Sequence, residues 1–265
     1  MLKTRLTEMF GLRYPVISAP MARMSGGRLA AAVSAAGGLG TVGGLSMARA
    51  TGPDYVREQI TTIRAATDRP FGVGFITHWL PRAEENFDVV LAERVPVVLF
   101  SFADPRPWLR RAKDNGAKVI CQVQTVDAAR EAADAGADVL VAQGNEAGGH
   151  TGTQALLPFL IRVVDEFPSL PVVAAGGIGD GRSLAAVLAA GADGAWMGTA
   201  FMATDENEIG QATKDAVVRG RSSDTVWTQV MDILNTRMRG VPAWPAGIAC
   251  RLHANPFIRK WHGRE

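Results

Sequence analysis

The chain has 265 residues, of which 47% are hydrophobic and 20% are charged, and its formal net charge is +2. A chain of this composition can bury a substantial core, which excludes a disordered chain, a collagen-like repeat and a disulfide scaffold. Acidic and basic residues are interspersed, so the charge pattern gives no footprint for nucleic acid or for an anionic membrane. The length fits either one α/β barrel or two smaller domains.

Short apolar runs alternate with helical patterns along residues 14–198. The runs predict eight strands: Tyr14–Pro20, Leu39–Val42, Phe71–Ile76, Val95–Phe100, Lys118–Val123, Val139–Gln143, Pro171–Ala175 and Gly194–Gly198. The intervening patterns predict helices: Gly27–Ala36, Asp54–Ala66, 82–93, from Pro105 or Pro107 to Asn115, Asp127–Ala135, Gln154–Phe167 and Asp180–Ala190.

Eight strand–helix units over roughly 200 residues have the count and spacing of a (β/α)8 TIM barrel of the α/β class. A doubly wound sheet is the alternative, but it would place GxGxxG after its first strand, where this chain has APMARMSGG. We therefore assign residues 1–205 to the barrel. Residues 206–265 form a short C-terminal extension, which we expect on or near the barrel mouth.

The two cysteines, Cys121 and Cys250, are far apart and belong to no CxxC or zinc-type motif. Such cysteines are typical of reduced thiols in a cytosolic protein. The N-terminal segment lacks an apolar signal core, and no stretch approaches the roughly 18 apolar residues of a membrane span. We therefore expect a cytoplasmic protein without a membrane partner, and the sequence leaves a homodimer open.

The sixth predicted strand stops in a glycine-rich turn that carries Glu146 and His150. In parallel α/β folds, ligands bind at the carboxyl ends of the strands. Histidine is the side chain whose unperturbed pKa is closest to neutral, so His150 is a candidate catalytic base. Its alternative role is to satisfy a buried carbonyl. Glu146 could orient His150 or cap backbone amides, and the sequence does not choose between these roles.

A second glycine-rich pattern follows strands seven and eight. Ala175, Gly176 and Gly177 end one strand, and Gly198 and Thr199 end the next. In barrels these two loops commonly form a phosphate site from exposed backbone N–H groups and the start of a short helix. A tight turn alone would need only one of the two glycine patterns. The sequence therefore favours a phosphate site over a purely structural turn.

Several motifs spread over essentially the whole chain resemble the nitronate monooxygenase family, the flavin-dependent enzymes once called 2-nitropropane dioxygenases. They are ISAPM (Ile17–Met21), AVSAAGGLGTVGG (Ala32–Gly44), SFADP (Ser101–Pro105), QVQTVDAA (Gln122–Ala129), AQGNEAGGHTG (Ala142–Gly152), AAGGIGDGRSLAAVLAAGADGAWMGTAF (Ala174–Phe201) and WHGRE (Trp261–Glu265). The resemblance implies an FMN cofactor and no metal.

The resemblance also implies the roles of individual residues. Ala19, Pro20 and Met21 would line the flavin ring, and Gln122 and Gln143 would reach its polar edge. Gly144, Gly148 and Gly149 would flank the cofactor, His150 would be the base or hydrogen-bond donor beside it, and Ala175, Gly176, Gly177, Gly198 and Thr199 would hold its phosphate. His78 and Trp79 either wall the substrate pocket or lie on its rim.

The chain also departs from the family pattern. Gly74 stands where many relatives have an amide side chain, and Gln122 stands where the quinone-reductase branch carries a lysine. A neutral glutamine would stabilise a reduced flavin less than a lysine, which argues against that branch. Relatives continue beyond the WHGRE segment. The lid to which it contributes is therefore absent, or the chain is a shortened form.

The resemblance implies that FMN-dependent oxidation of an alkyl nitronate by dioxygen gives a carbonyl compound and nitrite. The alternatives are a flavin enoyl-thioester reductase that uses NAD(P)H, an NAD(P)H:quinone reductase, and a barrel that binds a phosphorylated ligand without turning it over. The SFADP and QVQTV segments favour the first reading over the second.

Overall fold

The protein folds around a parallel β-barrel, seen in a computed structural model that describes residues 2–22, 24–45 and 52–264. Its strands are β1 (Val16–Ser18), β2 (Gly40–Gly43), β3 (Phe71–Ile76), β4 (Val97–Ser101), β5 (Lys118–Val123), β6 (Val139–Gln143), β7 (Gly149–Thr151), β8 (Val172–Ala175), β9 (Gly194–Met197), β10 (Thr225–Thr228) and β11 (Ala249–His253). Eight of them are parallel, in the order β1-β9-β8-β6-β5-β4-β3-β2.

A parallel bridge between Ile17 and Leu39 joins the first and last strands of that order. Two backbone hydrogen bonds support it, from Leu39 N to Val16 O at 2.9 Å and from Ser18 N to Leu39 O at 3.0 Å. The predicted (β/α)8 barrel is thus confirmed. Each barrel strand overlaps one of the eight predicted runs, with ends that differ by no more than a few residues.

The helices cover the outside of the barrel. They are α1 (Arg5–Phe10), α2 (Gly27–Ala36), α3 (Pro53–Ala66), α4 (Glu84–Ala92), α5 (Arg106–Asp114), α6 (Val126–Asp134), α7 (Leu156–Glu166), α8 (Gly181–Ala189), α9 (Thr199–Met202), α10 (Gln211–Arg219), α11 (Val230–Arg239) and α12 (Pro256–Trp261). Short 3-10 helices occupy Thr77–Arg82 and Ser222–Asp224. None of the helices in the described ranges is long and apolar enough to cross a bilayer.

Helix α1, which the sequence patterns did not predict, closes the amino-terminal end of the barrel. Its Leu6 and Phe10 join the buried cluster inside the barrel, together with Ile17 and Trp196. A side chain at Gly194 would lie 2.6 Å from Leu6 Cδ2, so the strand needs glycine there for the helix to pack. The opposite end, where the barrel strands terminate at their carboxyl ends, is the mouth and carries the candidate site.

The C-terminal extension is folded, and it returns to the barrel through a second sheet. β10, β11 and β7 form this antiparallel sheet in the order β10-β11-β7. Cys250 of β11 lies opposite His150 of β7, so the turn after β6 is tied to the end of the chain. The sequence patterns predicted neither β7 nor this pairing. The division into a barrel and an extension at residue 205 stays a prediction.

Candidate active site

The end of β1 lies across the mouth of the barrel. Ala19 N donates to Met197 O at 2.8 Å, which continues the β1–β9 pairing beyond the strands. A Cβ at Gly198 would stand 3.4 Å from both Ala19 Cβ and Met21 Sδ. On the other side, a Cβ at Gly74 would run into the ring of Pro20. The position of Pro20 therefore leaves no room for a side chain at Gly74 in this chain.

The turn after β6 touches the ends of both following barrel strands. Gly144 N donates to Ala175 O at 2.8 Å, which holds the start of the turn against β8. A Cβ at Gly148 would lie 2.7 Å from Thr199 Oγ1, at the end of β9. Gly176 has φ +127°, and a Cβ there would lie 3.1 Å from Ala147 N. The two glycine-rich patterns of the sequence therefore meet at one mouth.

His150 is held by residues of the C-terminal extension. Its Nε2 lies 2.8 Å from Asp232 Oδ1 of α11, and both side chains are largely buried, at 21% and 12% exposure. Its ring stacks on the indole of Trp244 with a centroid distance of 3.5 Å and an interplanar angle of 14°. Neither Asp232 nor Trp244 was recognised from the sequence, because nothing in the local pattern marks a partner 82 or 94 residues away.

Glu146 does not contact the imidazole in this arrangement. Both of its carboxylate oxygens accept a hydrogen bond from Leu156 N at 3.0 Å. Leu156 is the first residue of α7, so the carboxylate caps the amino terminus of that helix. Of the two roles left open by the sequence, the structure shows the cap, and Asp232 takes the place of the expected histidine partner.

Two glutamines connect β5 to His150. Gln124 Nε2 donates to Gln143 Oε1 at 2.9 Å, and Gln143 Nε2 donates to His150 O at 3.0 Å. The amide of Gln143 thus fixes the histidine backbone, and Gln124 is a member of the site that sequence reasoning missed. The sequence contained a pattern that could have identified Gln124, because alternation along QVQ places Gln122 and Gln124 on one face of the strand. Both of them line a cavity of about 100 Å³.

An aromatic group lies beside His150 at the mouth. Trp244 has its ring centroid 4.9 Å from those of His78 and Trp79 and 5.1 Å from that of Phe102. His78 Nδ1 lies 3.1 Å from Phe102 O. Burial lowers the pKa of His78, and the nearby His150 lowers it further, although the contact with Phe102 O opposes the shift. Trp79 is buried, so it lies inside this aromatic group and not on its rim.

A comparison with known proteins identifies the family of this chain. The model of the nitronate monooxygenase family matches residues 3–86 and 77–240. The chain belongs to the nitronate monooxygenase family. The resemblance first seen in the motifs is confirmed, and the named relatives in this family are oxidoreductases. Flavin dependence is a property of this family.

Individual relatives differ in the chemistry that they are named for. A (3aS,4S,5R,7aS)-5-hydroxy-7a-methyl-1-oxo-octahydro-1H-indene-4-carboxyl-CoA dehydrogenase of Mycobacterium tuberculosis is 37% identical over 91% of this chain and 65% of its own length. The structure of FabK from Thermotoga maritima superposes with a TM-score of 0.86 and 37% identity, covering 98% of this chain and 77% of that one. Nitroalkane oxidase from Streptomyces ansochromogenes gives 0.81 and 33%, covering 97% and 81%. The chain thus spans about two thirds of the first relative's length.

The mouth fits the phosphate of a flavin nucleotide. Gly176 and Gly177 have φ of +127° and +64°, and a side chain at either position would be strained. Within the described ranges, the backbone N–H groups of Gly176, Gly177 and Gly198 donate to no other residue. Free N–H groups at the ends of adjacent barrel strands are the donors that a phosphate requires. The family's cofactor and this chain's glycines are therefore compatible.

The predicted site residues divide into two groups by their contacts. Contacts at the mouth join Ala19, Pro20, Met21, Gln143, Gly144, Gly148, Gly149, His150, Ala175, Gly176, Gly198 and Thr199. Gly177 adjoins this group through the turn after β6, since a Cβ there would lie 3.4 Å from Glu146 Cβ. Gln122 lies apart in the small cavity beside β5. The role of each residue toward a cofactor stays a prediction.

Proposed function

We propose that this member of the nitronate monooxygenase family binds FMN and oxidises alkyl nitronates with dioxygen to a carbonyl compound and nitrite. One observation carries the proposal. Gly148 lies against Thr199 at the phosphate cradle, and His150, two residues later, presents the imidazole. A short stretch of backbone thus links the candidate anion site to the candidate proton carrier.

Bound FMN would supply the electron-transfer chemistry, and the protein would supply binding, orientation and proton transfer. The free N–H groups of Gly176, Gly177 and Gly198 would hold the phosphate. The end of β1 would support the flavin ring. Because Gly74 and Gly198 have no side chain, the Ala19–Met21 backbone can lie close to both positions. Dioxygen and the small organic substrate would enter at the same mouth.

His150 would accept the proton of the substrate carbon when the substrate arrives as a neutral nitroalkane, and this gives the nitronate that is oxidised. Gln143 fixes its backbone carbonyl, Asp232 contacts Nε2, and Trp244 covers one face of its ring. Nδ1 is the ring nitrogen left for a substrate. The aromatic group around Trp244 would exclude water from that position, which strengthens the hydrogen bonds made there.

A second candidate is the reduction of an enoyl thioester with NAD(P)H. It is supported by the likeness to FabK, an enoyl reductase, and by a relative named for a CoA thioester. In that reaction His150 would interact with the thioester instead of a nitro compound. The two candidates differ in their need for a nicotinamide and in the product released.

The decisive experiment assays flavin-reconstituted protein under air. One reaction contains propionate-3-nitronate and is followed by nitrite release, and the other contains a crotonyl thioester with NADPH and is followed by nicotinamide oxidation. The proposal expects nitrite in the first reaction and no substrate-dependent oxidation in the second. The opposite pattern would establish the second candidate.

The contribution of His150 is measured with His150→Ala. A positioned base contributes about 10²- to 10⁴-fold to turnover, so kcat with nitroethane, which must first lose a proton, should fall by that factor while flavin binding is retained. His253→Ala is the matched control, because His253 belongs to the same small sheet but is exposed. An unchanged kcat/KM in His150→Ala would remove His150 from the mechanism.

A further inference from the structure

The carboxylate of Asp232 has an unusual setting. Oδ1 lies 2.8 Å from His150 Nε2. Oδ2 is buried, and it has no hydrogen-bond partner among the residues that the structure describes. No lysine or arginine of the described ranges forms an ion pair with it, so the imidazole is its one ion-pairing partner there. Because the imidazole is the one described ion-pairing partner of this carboxylate, the main effect of the carboxylate is to orient the imidazole.

A helix-capping role does not account for this placement. Asp232 lies in the first turn of α11, where the helix dipole favours an acidic residue. However, its side chain accepts no hydrogen bond from a backbone N–H of that helix within the described residues, and α11 has no side-chain cap. The side chain instead extends to β7. Its negative charge also acts on Cys250, whose pKa is raised to about 12 by burial and by Asp232.

Three independent contacts fix the imidazole. The backbone of His150 is paired with Cys250 and accepts from Gln143, the ring face lies on Trp244, and one ring edge meets Asp232. A carboxylate accepts but cannot donate, so a neutral imidazole in this contact carries its proton on Nε2. Nδ1 then has the free lone pair, and it makes no hydrogen bond with another described residue.

We infer that Asp232 is a positioning residue that keeps the His150 proton on Nε2 and so makes Nδ1 a proton acceptor for neutral carbon acids. The inference rests on the proposed function and deepens it by assigning the residue that sets the tautomer of His150. In the step, the carbon–hydrogen bond of a neutral nitroalkane breaks and its proton moves to Nδ1. The electron pair stays on the substrate as the nitronate, and the imidazolium faces the Asp232 carboxylate.

The test compares a neutral and a deprotonated form of one substrate. Asp232→Asn would present an amide N–H to Nε2, which favours the other tautomer and places a proton on Nδ1. In a serine-protease triad the corresponding change lowers kcat about 10⁴-fold because the tautomer is wrong. With nitroethane, kcat/KM should fall at least about 10²-fold. With preformed ethyl nitronate, which needs no proton removal, it should change less than about fivefold by the same reasoning.

A readout independent of turnover is the nitrogen NMR spectrum of histidine-labelled protein. The His150 signals should report a proton on Nε2 in the parent chain and on Nδ1 in Asp232→Asn. Asp232→Glu should restore the Nε2 tautomer and part of the nitroethane activity. Asp205→Asn is the control in both measurements, since Asp205 is an exposed aspartate at the end of the barrel segment.

The outcomes separate this inference from the proposed function. If His150→Ala abolishes turnover but Asp232→Asn keeps the tautomer, or slows both substrate forms equally, Asp232 has only a structural role and the inference is wrong. If His150→Ala leaves both activities unchanged, the proposed function itself fails. A shifted tautomer together with a selective loss on nitroethane would support both.

Discussion

The phosphate cradle can be tested by one added charge. Gly177 lies in an exposed turn with φ +64°, and a Cβ there would meet nothing closer than Glu146 Cβ at 3.4 Å. There is therefore room for the side chain of Gly177→Asp, although the positive φ strains the backbone, and the variant places a carboxylate at the predicted phosphate position. Gly177→Asn is its matched control, because Asp and Asn tolerate the left-handed backbone similarly and only one of them is charged.

The size of the effect follows from Coulomb's law. Two unit charges about 4 Å apart repel by about 1 kcal/mol in water and about 4 kcal/mol at an effective dielectric constant of about 20. Gly177 is exposed, so the lower half of that range applies. For a phosphate of about −1.5 to −2 charge, this gives about 1.5–5 kcal/mol, or about a 10- to 4,000-fold weaker Kd for FMN.

The assay is a titration of flavin-free protein with FMN and with riboflavin, followed by quenching of flavin fluorescence. Riboflavin lacks the phosphate, so Gly177→Asp and Gly177→Asn should bind it equally. The charged variant should lose FMN affinity relative to the neutral one and at high salt should recover part of it. Equal FMN affinity in the two variants would show that no phosphate lies near Gly177, and the cradle assignment would be wrong.

Two further predictions concern stability. Asp193 is buried and binds Arg5 at 2.7 Å and Val172 N at 3.0 Å, so Asp193→Asn should lower the free energy of unfolding by about 2–4 kcal/mol in urea titrations. Asp104→Asn, in an exposed pair, should change it by no more than about 1 kcal/mol, and equal losses would contradict the burial argument. The lowered pKa of partly buried His78 means that the folded state binds fewer protons than the unfolded state as pH falls through about 6.5. Stability should therefore fall on acidification from about pH 7.5 to about pH 5.5, and His78→Asn should show a smaller fall; identical pH slopes would exclude His78 as the cause.

The barrel could be predicted from the sequence because its strands are buried on both faces. Runs such as Val139–Gln143 are continuously apolar, and the helices between them carry one apolar face. Local signals also placed helix starts, as where Asp180 accepts from Ser183 N at 2.8 Å at the beginning of α8. The glycine patterns identified the mouth because positive φ and close contacts require glycine at Gly176 and Gly148.

The surroundings of His150 could not be predicted in the same way. Asp232 and Trp244 reach it only because β7 pairs with β11, and a three-residue strand within a glycine-rich turn has no periodic pattern to detect. Glu146 was the nearer acid in the sequence, yet its carboxylate is used by Leu156 N. Sequence proximity thus left the role of Glu146 open, and tertiary pairing brought Asp232 to the histidine.

The β7–β11 pairing also sets when the site can exist during synthesis. The ribosome releases His150 about 100 residues before Cys250, its neighbour across the small sheet, and the barrel strands are complete well before that. A nascent chain can therefore close its barrel with the imidazole still unclamped. Proton chemistry at His150 would begin only after β11 has docked, which makes this late-synthesised strand a checkpoint on maturation.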